Sequence, residues 1–184
     1  TGGRLQAQPT LAVGGGAERN AVPGYALPAW RVVARRVSTP WRSSALRSLG
    51  AYGNVFAAES FIDELALATG QDPLQWRLSL LANDPRGQAV LHEAARQAGW
   101  GHALPEGCGR GIGYARYKGT GAWCAVVAEV EAGASLTVRH LTIAVDVGTP
   151  IHPDGVVQQV EGGALQATSW TLKEAVTADA HGHV

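Results

Sequence analysis

The sequence predicts an α+β fold in which a layer of helices packs on a mostly antiparallel sheet. Apolar residues recur every three or four positions within residues 54–98, three runs rich in β-branched and aromatic residues fill residues 112–145, and a helical pattern returns over residues 153–172. We expect one domain over residues 25–184. It follows a flexible arm over residues 1–24, which is rich in Gly and shows no periodicity.

The first part of this domain predicts one strand and one long helix. Valines alternate with arginines over residues 30–37, which is typical of a half-exposed strand. The helix is expected to begin at Asn54, whose side chain can act as an N-cap, and to stop at Gly70. The face predicted to be buried consists of Phe56, Ala57, Phe61, Leu65 and Ala68.

Two shorter helices complete the predicted helical layer. Asp72 followed by Pro73 indicates a helix start, and the leucines that follow form an apolar stripe that should end near Asn83. A third helix is expected over residues 86–98, where Gly99 provides the stop.

The second half of the chain predicts the sheet and a last helix. Strands are expected over residues 112–117, 122–130 and 135–145, and the glycine-containing turns between them favour an antiparallel meander. A final helix is expected from about residue 153 to residue 172. The tail from Lys173 should begin as a strand.

Composition excludes several classes of function. The 15 basic and 15 acidic residues balance, so the chain lacks the basic excess that binding to nucleic acid or an anionic membrane requires. No apolar run approaches the roughly 20 residues of a membrane helix, so no direct membrane insertion is expected. Cys108 and Cys124 lack the spacing of a zinc or iron–sulfur site and are expected to be reduced core thiols. A disulfide between them is the alternative, which the spacing does not decide. The sequence contains no Met, so we expect a piece of a longer polypeptide or a processed subunit.

Two arginines precede the long helix. Arg42 and Arg47 lie ahead of a helix N-terminus, whose free N–H groups favour anions, so the loop could bind an anion or a phosphate. The alternative is two surface charges on a connecting loop, and the residues alone favour it. His152 stands before a proline without a second ligand at a chelating spacing, so we expect it to bond to nearby backbone and assign no metal ligand in this chain.

Two blocks of the sequence carry a resemblance to a known family. The run ALRSLG at 45–50, followed by Ala58-Glu59 and by DELA at 63–66, resembles the molybdopterin-binding large subunit of the xanthine dehydrogenase and aldehyde oxidase family. It is most similar to the bacterial nicotinate dehydrogenase and isoquinoline oxidoreductase branches. The runs VDVG at 145–148 and QQVEGG at 158–163 are similar to the family's Val-Asp-x-Gly and Gln-Val-Glu-Gly-Gly runs.

The resemblance implies roles for three residues. Gln159, which by itself would be interpreted as padding a helix start, would lie against the molybdenum cofactor. Arg47 would reach the pterin or its pyrophosphate end. Leu49 stands where the family often has a phenylalanine against an aromatic substrate, and Ser48 replaces a common glycine. No catalytic residue is assigned, because the family's glutamate base belongs to a segment downstream of those present here.

The resemblance also implies cofactors and partners. We expect molybdopterin cytosine dinucleotide with molybdenum, iron–sulfur clusters on a partner subunit, the rest of the molybdopterin-binding subunit, and a small aromatic heterocycle or an aldehyde as substrate. The chain is then a portion of a molybdenum hydroxylase, inactive alone, in the cytoplasm or periplasm of a bacterium. The alternative is a non-catalytic scaffold or protein-interaction domain that retains this fold.

Overall fold

The computed structural model describes residues 16–35, 46–117, 121–181 and 183. Four helices and three strands follow one another in this described part of the chain. They are α1 (Ala51–Ala68), α2 (Pro73–Leu80), α3 (Pro85–Gln97), β1 (Cys108–Tyr117), β2 (Ala122–Ala132), β3 (Leu136–Asp146) and α4 (Pro153–Leu172). The predicted α+β class is confirmed, with β1 beginning four residues earlier than expected.

The three strands form one antiparallel sheet in the order β1-β2-β3, as the predicted meander requires. Cys108 lies opposite Glu131 in the first pair, and Trp123 lies opposite Asp146 in the second. The register shifts once, between residues 129 and 130. The end of β3 therefore lies beside the start of β2, and from this point the chain passes to α4.

The core lies between α2, α3 and one face of the sheet. Asp72 caps α2 by accepting a hydrogen bond from Gln75 N at 2.9 Å, and Pro73 is the first helical residue, as predicted. The side chains of α3 that face the sheet are fully or almost fully buried, as are their neighbours on the strands. These core residues are Val90, Leu91, Ala94, Ile112, Tyr114, Trp123, Ala125 and Val127.

Helix α1 differs from its prediction in two respects. It begins at Ala51 with Gly50 as its N-cap, so the assignment of Asn54 as the cap was wrong. The Asn54 amide instead donates to the carbonyl oxygens of Ala17 at 2.6 Å and Arg19 at 2.9 Å. This amide joins α1 to the segment that precedes it.

The predicted buried face of α1 was also wrong. Phe56 is 69% exposed and Phe61 is 58% exposed, whereas Ile62 and Ala66 are buried. The buried side of α1 carries the acidic partners of Arg77, a fully buried residue of α2. A polar network therefore holds the helix to the domain, whereas apolar packing was expected to hold it.

Two segments predicted as strands have no strand structure in their described residues. Residues 30–35 and 173–181 have no strand structure, because neither is paired with a strand in the described part of the chain and a strand needs a hydrogen-bonded neighbour. Residues 36–37 of the first prediction, Arg42 and residues 1–15 of the predicted arm lie outside the described residues. The division between arm and domain stays a prediction.

Cys108 and Cys124 are both free. Cys108 opens β1, and Cys124 lies opposite Ala115, seven residues further along that strand. Seven residues of strand span about 24 Å, far beyond the reach of a disulfide. Within residues 16–35, 46–117 and 121–181, no helix combines the length and the hydropathy that crossing a bilayer requires.

Candidate functional site

Arg47 joins the loop before α1 to helix α4. Its Nη2 donates to the backbone oxygen of Gln159 at 2.9 Å and to the Oε1 atom of the same residue at 3.0 Å. Its Nη1 donates to Oε1 of Gln166 at 3.4 Å. Arg47 and Gln159 come from separate sequence blocks, and the fold brings them into direct contact.

The loop that carries Arg47 has an unusual backbone. Ser48 and Leu49 have φ angles of 70° and 55°, in the left-handed region where a side chain costs roughly 1–2 kcal/mol. Leu49 N donates to Leu46 O at 3.0 Å, and Ala51 N donates to Ser48 O at 3.1 Å. This tight turn starts α1 and leaves Arg47 outside the helix. A glycine at position 48, as in the resembled loop, would adopt this conformation without strain.

One face of α4 receives the guanidinium group. Gly162 and Gly163 lie three and four residues after Gln159 and four and three residues before Gln166, so the four residues share a face. A Cβ atom on Gly162 would lie 3.8 Å from Nη1 of Arg47, and one on Gly163 would lie 3.5 Å from Nη2. The guanidinium group therefore lies over the glycine pair, where no side chain intervenes.

The contact also fixes how the Gln159 amide is presented. Oε1 accepts from Arg47, so the amide nitrogen Nε2 is left with two N–H donors and no acceptor within the described part of the chain. Three of the five N–H donors of Arg47 are used in the bonds to α4. The site therefore presents donors, and a positive charge, to an acceptor group.

A cavity of about 530 Å³ adjoins Arg47. Leu49 lines it together with the rings of Tyr52 and Trp170, which meet edge to face with centroids 4.8 Å apart. Lys173 and Glu174 contribute one positive and one negative charge to the same lining. Sequence reasoning missed the aromatic wall. The sequence did contain a signal for Trp170, which lies 11 residues after Gln159. This spacing places it three helical turns along the same face of α4.

Comparison with known protein families matches residues 85–184 to the molybdopterin cofactor-binding domain. The match covers more than half of the chain. The chain belongs to this family. Together with the three relatives described next, this match confirms the family resemblance. The matched residues include Gln159 and the second sequence block, whereas Arg47 and the first block precede them.

Three curated proteins are similar to this chain over most of its length. The B subunit of nicotinate dehydrogenase from Pseudomonas putida is 38% identical over 178 residues, which cover 87% of this chain and 15% of that protein. The beta subunit of isoquinoline 1-oxidoreductase from Brevundimonas diminuta is 36% identical over 159 residues, covering 83% and 20% respectively. Membrane-bound aldehyde dehydrogenase [pyrroloquinoline-quinone] of Gluconacetobacter polyoxogenes is 32% identical over 173 residues, covering 82% and 22%. The chain thus spans less than a quarter of the length of these relatives.

Asp146 anchors the end of the molybdopterin-domain sheet from which α4 departs. Its carboxylate accepts hydrogen bonds from Arg86 at 2.5 and 2.6 Å and from Gly148 N at 2.9 Å. These bonds lower the pKa of Asp146 to about 2. The Arg86 guanidinium also lies 3.7 Å from the centroid of the Trp123 ring. The VDVG run therefore ties β3 to α3.

His152 opens helix α4 as its N-cap. Its Nδ1 accepts a hydrogen bond from Gly155 N at 2.6 Å, which confirms the predicted backbone-bonding role. Within the described ranges, no group of three or more His, Cys, Asp or Glu side chains is arranged to hold a metal ion. The geometry at this end of α4 is therefore that of a capped helix start.

A buried ionic network positions α1, and with it the Arg47 loop. Arg77, with no exposed surface, donates to Glu59 at 2.9 Å and to Asp63 at 2.5 Å. Glu59 also accepts from the Tyr25 hydroxyl and from Tyr114 N, both at 2.8 Å. Burial raises the pKa of Glu59, and the charge of Arg77 opposes that shift. Sequence reasoning missed Arg77, although it had singled out Glu59 in the Ala-Glu pair.

Proposed function

We propose that this chain forms part of the cofactor site of a molybdenum hydroxylase subunit. Arg47 and Gln159 contact the molybdopterin group, and Leu49 lines the side on which substrate binds. The observation that carries the proposal is the paired hydrogen bond from Arg47 to Gln159, made by residues 112 positions apart in a chain of the molybdopterin cofactor-binding family.

The residues at this site suit the chemistry of the cofactor. A molybdopterin group offers phosphate and other oxygen atoms as acceptors, and the site offers the Nε2 donors of Gln159 beside the Arg47 cation. The charge of Arg47 favours a phosphate, and its hydrogen bond keeps the amide oxygen of Gln159 turned away so that N–H groups face the ligand. The bound group supplies the redox chemistry, whereas these side chains bind and orient it.

We extend the proposal to the cofactor form and to the partners. We propose molybdopterin cytosine dinucleotide, and an iron–sulfur subunit that removes electrons. Two relatives are named as subunits, and the two cysteines of this chain are too few for a cluster that needs four thiolates. The catalytic groups would come from the rest of the subunit, since the chain spans 15% to 22% of the three relatives.

The proposed substrate is a small N-heterocycle or an aldehyde. The names of the three relatives contain nicotinate, isoquinoline and aldehyde. The cavity beside Arg47 supports a flat, apolar substrate, because Leu49, Tyr52 and Trp170 line it.

The test is the cofactor content of variants made in the longest polypeptide that the gene encodes, purified with its partner subunits. Arg47→Ala and Gln159→Leu should each lose most of the bound molybdenum and pterin, because each removes charge-assisted or donor contacts worth roughly 1.5–3 kcal/mol. Arg139→Ala is the matched control, since Arg139 is exposed and pairs with Glu131 at 3.4 Å. Unchanged molybdenum and pterin in both site variants would overturn the proposal. A wild-type polypeptide without molybdenum would support the scaffold alternative.

A further inference from the structure

We propose that the outer face of α1 is the surface on which another part of the same molybdopterin-binding subunit packs. The inference rests on the proposed function, in which this chain is one portion of a larger subunit. We define the outer face of α1 by its exposed residues, which follow one another at helical spacing. They are Tyr52, Phe56, Ala57, Ser60, Phe61, Glu64, Leu67 and Ala68.

The outer face of α1 is unusually apolar for a surface in contact with water. Phe56, Phe61 and Leu67 are 69%, 58% and 70% exposed, and Tyr52 is 41% exposed. Contiguous apolar patches of this kind mark sites of protein contact. The sequence periodicity of α1 also predicts burial for this side, and the structure leaves it open. The pattern is therefore that of a helix with a partner on its outer side.

The inner side of α1 is already occupied, so it cannot bury the apolar residues of the outer face. It is occupied by the network of Glu59, Asp63 and Arg77 and by the buried apolar residues Ile62 and Ala66. Turning the helix to bury its phenylalanines would break this network and leave Arg77 unpaired in the interior, at a large desolvation penalty. Only a surface that approaches from outside can cover the phenylalanines.

The chemistry of the outer face specifies its occupant. Glu64 is its acidic residue and has no ion-pair partner within the described chain, so the occupant should carry large apolar side chains and a Lys or Arg opposite Glu64. A second copy of this chain fits poorly, because a two-fold contact would bring two Glu64 carboxylates into one apolar patch. The three relatives are long enough to supply such a segment, since this chain spans at most 22% of them.

The outer face also adjoins the proposed cofactor site. Tyr52 belongs to both, because its ring lines the cavity beside Arg47 and lies on the exposed side of the first turn of α1. A segment packed on the outer face would therefore cover the open side of this cavity and exclude water from it.

Cysteine labelling tests the inference. Ser60 lies exposed in the middle of the outer face, and Ser135 lies exposed in the turn between β2 and β3. Ser60→Cys and Ser135→Cys are made in the longest polypeptide that the gene encodes and in the 184-residue chain. Maleimide labelling is followed by peptide mass spectrometry, so that Cys108 and Cys124 are counted separately. In the longer polypeptide, Ser60→Cys should label at least tenfold more slowly than Ser135→Cys, and in the 184-residue chain the two rates should be similar.

The outcomes separate this inference from the cofactor proposal. Equal labelling of both cysteines in the longer polypeptide, or a gene that encodes no longer polypeptide, would overturn the inference. Protection of Ser60→Cys in the 184-residue chain that grows with protein concentration would assign the face to a second copy and also overturn it. Molybdenum is measured on the same samples. Protection without molybdenum supports the packing surface and removes the cofactor role, whereas molybdenum without protection does the reverse.

Discussion

A single nitrogen of Arg47, Nη2, donates to both the backbone oxygen and the side-chain oxygen of Gln159, at 2.9 and 3.0 Å. The two bonds hold the amide in one orientation, with its nitrogen directed away from Arg47. The position of Arg47 thus determines which group Gln159 offers to a ligand. Changes that move the guanidinium group should therefore alter binding even where Gln159 itself is intact.

The glycine pair on α4 allows a size test of this arrangement. In the longest polypeptide that the gene encodes, Gly163→Ala should keep molybdenum and pterin near the wild-type level, because its Cβ would meet Arg47 Nη2 at 3.5 Å, an ordinary contact distance. Gly163→Leu should displace the guanidinium group and lose most of both. Ala167→Leu, at an exposed position of α4, controls for the added bulk. Equal cofactor content in Gly163→Leu and Gly163→Ala would contradict this expectation.

The left-handed turn predicts a stabilising substitution. Ser48→Gly should raise the free energy of unfolding of the 184-residue chain by about 0.5–1 kcal/mol, because glycine tolerates the φ of 70° without steric cost. Ser60→Gly, the same substitution inside α1, should lower it by about 0.5 kcal/mol through poorer helix propensity. Urea denaturation measures both. A loss of stability in Ser48→Gly would show that the turn is not strained.

The buried network predicts a large loss of stability. Arg77→Leu should lower the free energy of unfolding by about 3–5 kcal/mol, because Glu59 would remain buried with its cationic partner gone. Adding Glu59→Gln should recover part of the loss by removing the unpaired charge. Arg96→Leu, which breaks an exposed pair with Glu93, should cost far less, because water screens that pair. Similar losses in Arg77→Leu and Arg96→Leu would argue against a buried ionic network.

Asp146 predicts a defined acid dependence. Its pKa is about 2 in the folded protein and about 3.9 in an unfolded chain, so its contribution to stability is fully present above about pH 4 and is lost as pH falls towards 2. A double-mutant cycle with Arg86→Met and Asp146→Asn measures the coupling between the two residues. The coupling should shrink steadily between about pH 4 and pH 2. A coupling that stayed constant over this range would rule out the assigned pair.

Cys124 should be a slow thiol in the folded protein. Burial raises its pKa to about 11, so only about one molecule in a thousand carries the thiolate at pH 8. Labelling of Cys124 by a maleimide should be about a hundredfold slower in buffer than in urea. Mass spectrometry of the labelled peptides separates it from Cys108. Similar rates in buffer and in urea would mean that β2 opens readily at this position.

Much of the fold follows from local signals. The start of α2 was predictable because Asp72 and Pro73 specify a helix N-terminus within two residues. The bounds of α4 were predicted as Pro153–Leu172 and are observed there. The meander was predictable since each of its turns joins neighbouring strands. In each case the information lies within a few residues of the structure that it specifies.

The failures have a non-local cause. Asn54 has the chemistry of an N-cap, but two carbonyl groups more than 30 residues away accept its hydrogen bonds. Residues 30–35 alternate as a strand does, but the described chain places no neighbour beside them. The burial of Arg77 depends on acidic residues of another helix, which no pattern within α2 reveals.

The candidate site lies between these cases. Gln159 was selected by resemblance alone, whereas Arg47 was also marked by its position ahead of a helix N-terminus; the roles of both towards the cofactor stay predictions. Their mutual contact could not be read from the sequence, because it depends on the sheet that separates them. The aromatic pair of Tyr52 and Trp170 was missed for the same reason.

Helix α4 has no fully buried residue. It is held to the start of α1 through the hydrogen bonds of Arg47 and the ring contact of Trp170 with Tyr52, so its attachment is weaker than that of α3, which lies in the core. We expect the amide hydrogens of α4 to exchange with deuterium well before those of α3, in an opening that leaves the sheet folded. Such an opening would separate the two halves of the site while the rest of the domain stays intact. The same opening would also admit the proposed molybdopterin cofactor to an already folded apoprotein, and closure of α4 would then retain it.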